Sequence, residues 1–168
     1  RFIENALQQN HNLRYSKYNL FNYTTIFAFL NYTSTKDPVV NRSFFNGISQ
    51  ISERVNANFT NESVSGTFSY QRSFKKYYKA SAVTNITWTK NNQLFVNPAD
   101  PTNPGVDFSR SIENWNQFYR VSLGTQFQKL PNIEAAYGIN INENPGAVFT
   151  THSPSVTLDY RIIEGLAL

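Results

Sequence analysis

Asn132-Ile133-Glu134-Ala135-Ala136-Tyr137-Gly138-Ile139-Asn140-Ile141-Asn142 is the stretch whose reading decides the fold class. Ile133, Ala135, Tyr137, Ile139 and Ile141 fall at odd positions, and Glu134, Ala136, Gly138, Asn140 and Asn142 at even ones. A period of two is that of an extended strand with one apolar and one polar side. The same alternation recurs in Val64-Gly66-Phe68-Tyr70, in Trp115-Tyr119-Val121-Leu123-Phe127 and in Val156-Leu158-Tyr160-Ile162, each facing away from a set of mainly polar residues. The apolar sides are repeatedly rimmed by tyrosine or tryptophan. That pattern predicts strands of a β-barrel standing in lipid around a wet lumen.

Working outward, strands are expected at about 12 to 18, 23 to 35, 62 to 73, 77 to 90, 109 to 129, 133 to 142 and 150 to 163. The stretch Ile26 to Leu30 is apolar on both sides and blurs the second of these. Short turns are expected at Asn19 to Asn22, Phe74 to Tyr77, Leu130 to Asn132 and Glu164-Gly165. Long polar connections are expected from Lys36 to Asn61, Asn91 to Phe108 and Glu143 to Phe149, with part of 39 to 56 prolonging a hairpin. Three prolines and a glycine between Asn97 and Gly105 mark an irregular loop. Arg1 to Gln9 offers a helical turn or two, and no other helix competes. Tight turns at one end and long loops at the other are the asymmetry of outer-membrane barrels.

Tyr78 and Trp88 lie on one side of a single strand, ten residues apart. At about 3.4 Å per residue and a tilt near 40°, that is a height of about 25 Å, which matches the apolar band between aromatic girdles. Trp115 is expected at the level of Trp88 on the next strand. The full lipid-facing and girdle set reads Tyr70, Tyr78, Ile86, Trp88, Trp115, Tyr119, Val121, Leu123, Phe127, Ile133, Tyr137, Ile139, Ile141, Val156, Leu158 and Tyr160.

Composition narrows the functional classes. Charged residues are 15 % of the 168, against about 25 % in an average globular domain, and polarity comes from Asn, Ser and Thr instead. Cysteine is absent, which removes disulfides and thiolate chemistry. The apolar run Ile26 to Leu30 is far short of the roughly 18 residues of a membrane helix. A net charge of +4 is dispersed, with no run longer than Lys75-Lys76, so nucleic acid is not an expected partner. The chain contains no methionine and opens on Arg1-Phe2-Ile3 without a signal segment, so it is expected to be a processed chain or a segment of a larger barrel, forming one domain over 1 to 168 with no plug.

No catalytic, metal or cofactor site is expected. His11 and His152 have no second ligand at a useful spacing and read as loop or strand-end residues. Glu134 and Asp159 fall on the lumen side, where Arg120 or Arg161 are available as structural partners. Phosphate-loop, nucleophile-elbow and zinc-protease motifs are missing. Asp100 and Asp107 lack calcium-loop spacing. Six Asn-x-Ser/Thr triplets, beginning at Asn22, Asn31, Asn41, Asn58, Asn61 and Asn85, read as chance matches in an Asn-rich chain.

Asn19-Leu20-Phe21-Asn22-Tyr23-Thr24, Asn31-Tyr32-Thr33-Ser34-Thr35-Lys36-Asp37-Pro38-Val39-Val40, Phe68-Ser69-Tyr70, the turn Phe74-Lys75-Lys76, and Ser155-Val156-Thr157-Leu158-Asp159-Tyr160 followed by Glu164-Gly165-Leu166 stand in an order that resembles a Bacteroidota-type outer-membrane β-barrel family related to TonB-dependent receptors. The resemblance covers nearly the whole chain through short motifs. It implies a Gram-negative outer-membrane location and a parent barrel of about 22 strands with a periplasmic plug. It also implies the TonB system as energy source, and a siderophore, glycan or similar nutrient as cargo. The plug and TonB-contacting segment are not among these residues, and no ligand-binding residue carries over. The rival expectations are a soluble or cell-surface β-sandwich that binds a ligand, and a small eight-stranded barrel.

Overall fold

The computed structural model describes residues 4–46, 49–96, 107–128 and 130–160. The chain is all-β and forms an antiparallel up-and-down meander. Its strands are β1 (Leu7–Asn19), β2 (Thr24–Lys36), β3 (Val39–Asn46), β4 (Ser49–Asn56), β5 (Thr60–Phe74), β6 (Tyr78–Val96), β7 (Asp107–Thr125), β8 (Asn132–Asn144) and β9 (Ala147–Asp159). Seven of them make one sheet in the order β1-β2-β5-β6-β7-β8-β9, and β3-β4 is a separate hairpin inserted between β2 and β5. Every pairing is antiparallel.

The sheet is a single layer. Among the described residues only Val55, Ala57 and Ala136 are buried apolar side chains, and no large side chain is fully buried. The accessible surface is 12724 Å² for 19.3 kDa, whereas a compact protein of that mass exposes about 8,500 Å². The stacked layers of a β-sandwich are therefore not what the described residues adopt. Among the described residues no helix is long and apolar enough to cross a membrane, which says nothing about strands.

Register turns the local alternation into two continuous faces. Residues paired across antiparallel strands point to the same side, so the pairings can be followed across the sheet. One row runs Tyr15–Ala28–Phe68–Thr84–Tyr119–Ile139–His152, and the next Lys17–Ile26–Tyr70–Ala82–Val121–Tyr137–Pro154. The blur in β2 resolves here: Ile26, Ala28 and Leu30 join the apolar face, while Phe27 and Phe29 join the polar one.

Several expectations are corrected. Residues from Leu7 onward are strand, not helix, because β2 offers Leu7 to Gln9 a pairing edge. The long loop expected at Glu143 to Phe149 is a two-residue turn, Pro145-Gly146, in which Gly146 takes φ +92°. Polar residues there hid the facing ends of β8 and β9, which local pattern alone could not show. The strand expected to reach 129 ends at Thr125. Phe127 lies beyond it with its ring 5.4 Å from Tyr77, and Tyr160 lies just past β9. The expectations on the three-proline loop, Asp100, Arg161, Ile162 and the Glu164-Gly165 turn fall outside the described residues.

The two ends of the sheet differ. At one end the connections are 20–23, 75–77 and 126–131. At the other they are the β3-β4 excursion, 97–106 and the Pro145-Gly146 turn. Asn56 ties down the excursion's base: its Oδ1 accepts from Glu4 N at 2.7 Å, and its Nδ2 donates to Glu4 O at 2.7 Å and Asp37 O at 3.3 Å.

Candidate functional site

The apolar face is built in horizontal rows. Its upper rim is His11–Tyr32–Val64–Trp88–Trp115–Glu143–Val148, and the two indoles stand opposite each other with centroids 6.2 Å apart. The lower rim carries Phe74 stacked on Tyr78 at 5.7 Å. From Trp88 to Tyr78 the height is about 26 Å for a strand tilted near 40°. Between those rims the outward residues of β6 and β7 carry no Asp, Glu, Lys or Arg. On β5 the exception is Arg72, two residues from Phe74, close enough for its long stem to carry the guanidinium to the rim.

Apart from Lys17 on β1, Arg72, and Glu143 in the indole row itself, charge on this face returns one row above the indoles. Glu62, Lys90 and Glu113 stand abreast there, with Lys90 Nζ 3.8 Å from Glu113 Oε1, and Tyr32 Oη donates to Glu62 Oε1 at 2.7 Å. Tyrosine hydroxyls that point toward this charged row and rings that stay in the apolar band are the arrangement expected at a water–hydrocarbon boundary.

Of the expected set, Tyr70, Tyr78, Ile86, Trp88, Trp115, Tyr119, Val121, Leu123, Ile133, Tyr137, Ile139, Ile141, Val156 and Leu158 all lie on this one face. Val121 and Leu123 are 58 % and 63 % exposed. Phe127 and Tyr160 are not strand residues. Small side chains at Ala80, Ala82 and Ala135, flanked by Tyr70 and Tyr137, leave a shallow apolar trough in the wall. Both histidines are mid-strand residues of this face rather than loop residues. His11 stacks on Tyr32 at 6.1 Å, and His152 Nδ1 is 2.7 Å from Tyr137 Oη.

The opposite face is polar and mostly uncharged: Ser65, Thr67 and Ser69 on β5, Ser81, Asn85 and Thr87 on β6, Asn116 and Ser122 on β7, Asn140 and Asn142 on β8. Phe118 sits between Asn85 and Asn140, and its ring lies over Gly138, where a Cβ would stand 3.7 Å from Phe118 Cε2, an ordinary contact distance. At the lower end Lys79, on β6, reaches past Gly124 to Glu134 on β8, Nζ to Oε2 2.5 Å, and Arg120 approaches Glu134 Oε1 at 3.9 Å. Ser81 and Ser122 hydrogen-bond beside them at 2.7 Å. Arg120 was one of the two arginines expected as partners on this side. Lys79, the nearer one, was not, because it is two strands away and is brought close only by register and by a glycine.

Gln126, expected on the lumen side, instead closes the lower turns. Its Nε2 donates to Lys76 O at 3.0 Å and its N to Tyr77 O at 2.7 Å. Among the described residues no group of three His, Cys, Asp or Glu is placed to hold a metal ion. The arrangement sets one apolar face against one polar face across a single sheet. No protein-family model, curated protein or solved structure matches the chain.

Proposed function

We propose that this chain forms part of the wall of an outer-membrane β-barrel, in a receptor of the TonB-dependent kind that takes up a nutrient such as a siderophore or glycan. The observation that carries the membrane reading is the apolar face, ten residues of β6 from Trp88 to Tyr78 with no charged outward residue on β6 or β7 between them, which the tilt of a barrel strand makes about 26 Å tall, on a sheet that no second layer covers among the described residues. The resemblance of the sequence motifs to that family supports the receptor reading, and the Asn/Ser/Thr face suits a lumen wall. In this role the lipid is the partner of the apolar side chains, and the chain's residues shape and line the passage without reacting with what passes.

Trp88 and Trp115 are the chain's two tryptophans, so their fluorescence reports one depth. In vesicles of brominated phosphatidylcholine, quenching is expected, and it should be stronger with bromines near the headgroup than with bromines near the bilayer centre. Fluorescence unaffected by brominated lipid would overturn the proposal.

A further inference from the structure

At the turn end of the apolar face, β1, β2 and β5 bring four hydrogen-bond donors together. Pairing sets Asn19, Thr24 and Arg72 abreast in one row, and Lys17 in the row above, beside Ile26 and Tyr70. Among the described residues, Lys17 and Arg72 are the only Lys, Arg, Asp or Glu that this face holds below the indole row. Both are exposed, and no ion pair of the described residues includes either. The opposite rim differs, because there Lys90 is matched by Glu113 and Glu62 stands in the same row.

The two neutral members also have donors to spare. Asn19 Oδ1 already accepts from Phe21 N at 2.9 Å, which leaves the side-chain NH2 free to donate. Thr24 Oγ1 is shielded from solvent and has no hydrogen-bond partner, a state that costs free energy until an acceptor is supplied. The cluster therefore holds two positive charges, two further donors and no carboxylate.

We propose that Lys17, Asn19, Thr24 and Arg72 bind the phosphate of an anionic glycerophospholipid, one acyl chain of which lies in the neighbouring apolar trough. The inference rests on the membrane-wall reading and gives one lipid a headgroup class and a place. From strand spacing and rise, the Cα atoms of Lys17 and Arg72 are about 12 Å apart, a span that two long side chains close on one group between them. A phosphodiester accepts from several donors at once, and a guanidinium can fork onto two of its oxygens.

The surroundings select a lipid over a free anion. Arg72 pairs with Ala80, and Ala80 opens the trough that Tyr70, Ala82, Ala135 and Tyr137 line, with a volume of about 550 Å³, within the range of small-ligand sites. Head and tail contacts thus adjoin at Arg72. In the turn below the cluster Phe21 is fully exposed, as befits an aromatic ring at a lipid interface. A choline headgroup would set its own cation beside Lys17 and Arg72, so the lipid is one with net negative charge.

Lipid selectivity read at two depths tests this. The protein is placed in vesicles that mix phosphatidylglycerol with phosphatidylcholine, one of the two brominated on its acyl chains. Phe21→Trp in a Trp88→Phe, Trp115→Phe background puts a reporter beside the cluster, while the native tryptophans report the opposite rim. Phosphatidylglycerol should be preferred at least about fivefold at the new reporter, the worth of one basic residue near an anionic surface, and not at the native pair. Lys17→Gln with Arg72→Gln should abolish the preference, Thr24→Val should lower it roughly threefold, and Ala82→Leu, which fills the trough, should lower it as well. Spin-labelled phosphatidylglycerol on the unsubstituted protein gives a second readout, with a larger immobilised fraction expected than for spin-labelled phosphatidylcholine. No preference in either readout, or one that survives the double glutamine variant, would overturn the inference. Displacement by inorganic phosphate beyond that by chloride of equal ionic strength, or indifference to Ala82→Leu, would overturn the lipid assignment. Quenching of Trp88 and Trp115 without selectivity at the cluster defeats the phosphate site alone, whereas no quenching of either defeats the wall reading itself.

Discussion

Lys79 Nζ meets Glu134 Oε2 at 2.5 Å although their strands are not neighbours, and Gly124 lies between them. A Cβ at Gly124 would stand 3.0 Å from Lys79 Cε, 3.2 Å from Ile133 O and 3.3 Å from Glu134 Cβ. The lysine can swing aside, but the carbonyl cannot. Gly124→Ala should therefore cost about 1 to 3 kcal/mol through crowding. Glu134→Gln alone should cost less than about 1 kcal/mol, because the pair is about one-third exposed. Urea unfolding in lipid would measure both, and part of the Gly124→Ala cost should disappear in the Glu134→Gln background. Gly138→Ala, whose Cβ meets nothing nearer than 3.7 Å, should be neutral or stabilising by up to about 1 kcal/mol.

Depth within the apolar band sets the cost of an outward charge. Tyr119 pairs with Thr84, Val121 with Ala82 and Leu123 with Ala80, so Val121 lies nearer mid-height between Trp88 and Tyr78, and Leu123 nearer the lower rim. Val121→Arg should cost about 2 to 4 kcal/mol, and Leu123→Arg measurably less. Thr87→Arg, on the wet face, should stay within about 0.5 kcal/mol. Equal costs for all three in a lipid refolding assay would contradict the facing described above.

The turn joining β5 and β6 holds Lys75 and Lys76 at φ 48° and 64°. A side chain in the left-handed region costs roughly 1 to 2 kcal/mol relative to glycine's freedom there. Lys76→Gly is accordingly expected to raise stability by about 1 kcal/mol, read as a higher urea midpoint with an unchanged slope.

Asn132 clamps the connection between β7 and β8 from both sides. Its Oδ1 accepts from Phe127 N at 2.5 Å, and its Nδ2 donates to Phe127 O at 3.0 Å. Asn132→Ala removes both bonds and should cost about 1 to 3 kcal/mol. Asn132→Asp keeps the acceptor and loses the donor, so its cost should be intermediate. Equal stability of wild type and Asn132→Ala would show that the turn is held by Pro131 and the strands instead.

What the sequence by itself determined is the identity of the faces. A two-residue period is local: whichever strand Tyr137 or Val121 pairs with, it points opposite to Gly138 or Ser122, so the apolar set and the level of Trp88 against Trp115 were legible. Only the tertiary structure decided the ends and the neighbours. At Asn142 to Ala147 both sides of the strands are polar or small, so the alternation fades just where the tight Pro145-Gly146 turn forms. The Lys79–Glu134 contact needs the register of three strands and the empty place at Gly124, and the stacking of His11 on Tyr32 and the bond of His152 to Tyr137 likewise depend on partners distant in the chain. Side-chain direction is a property of each residue's own backbone, whereas pairing and register are contacts between residues far apart in sequence, and no local pattern encodes those.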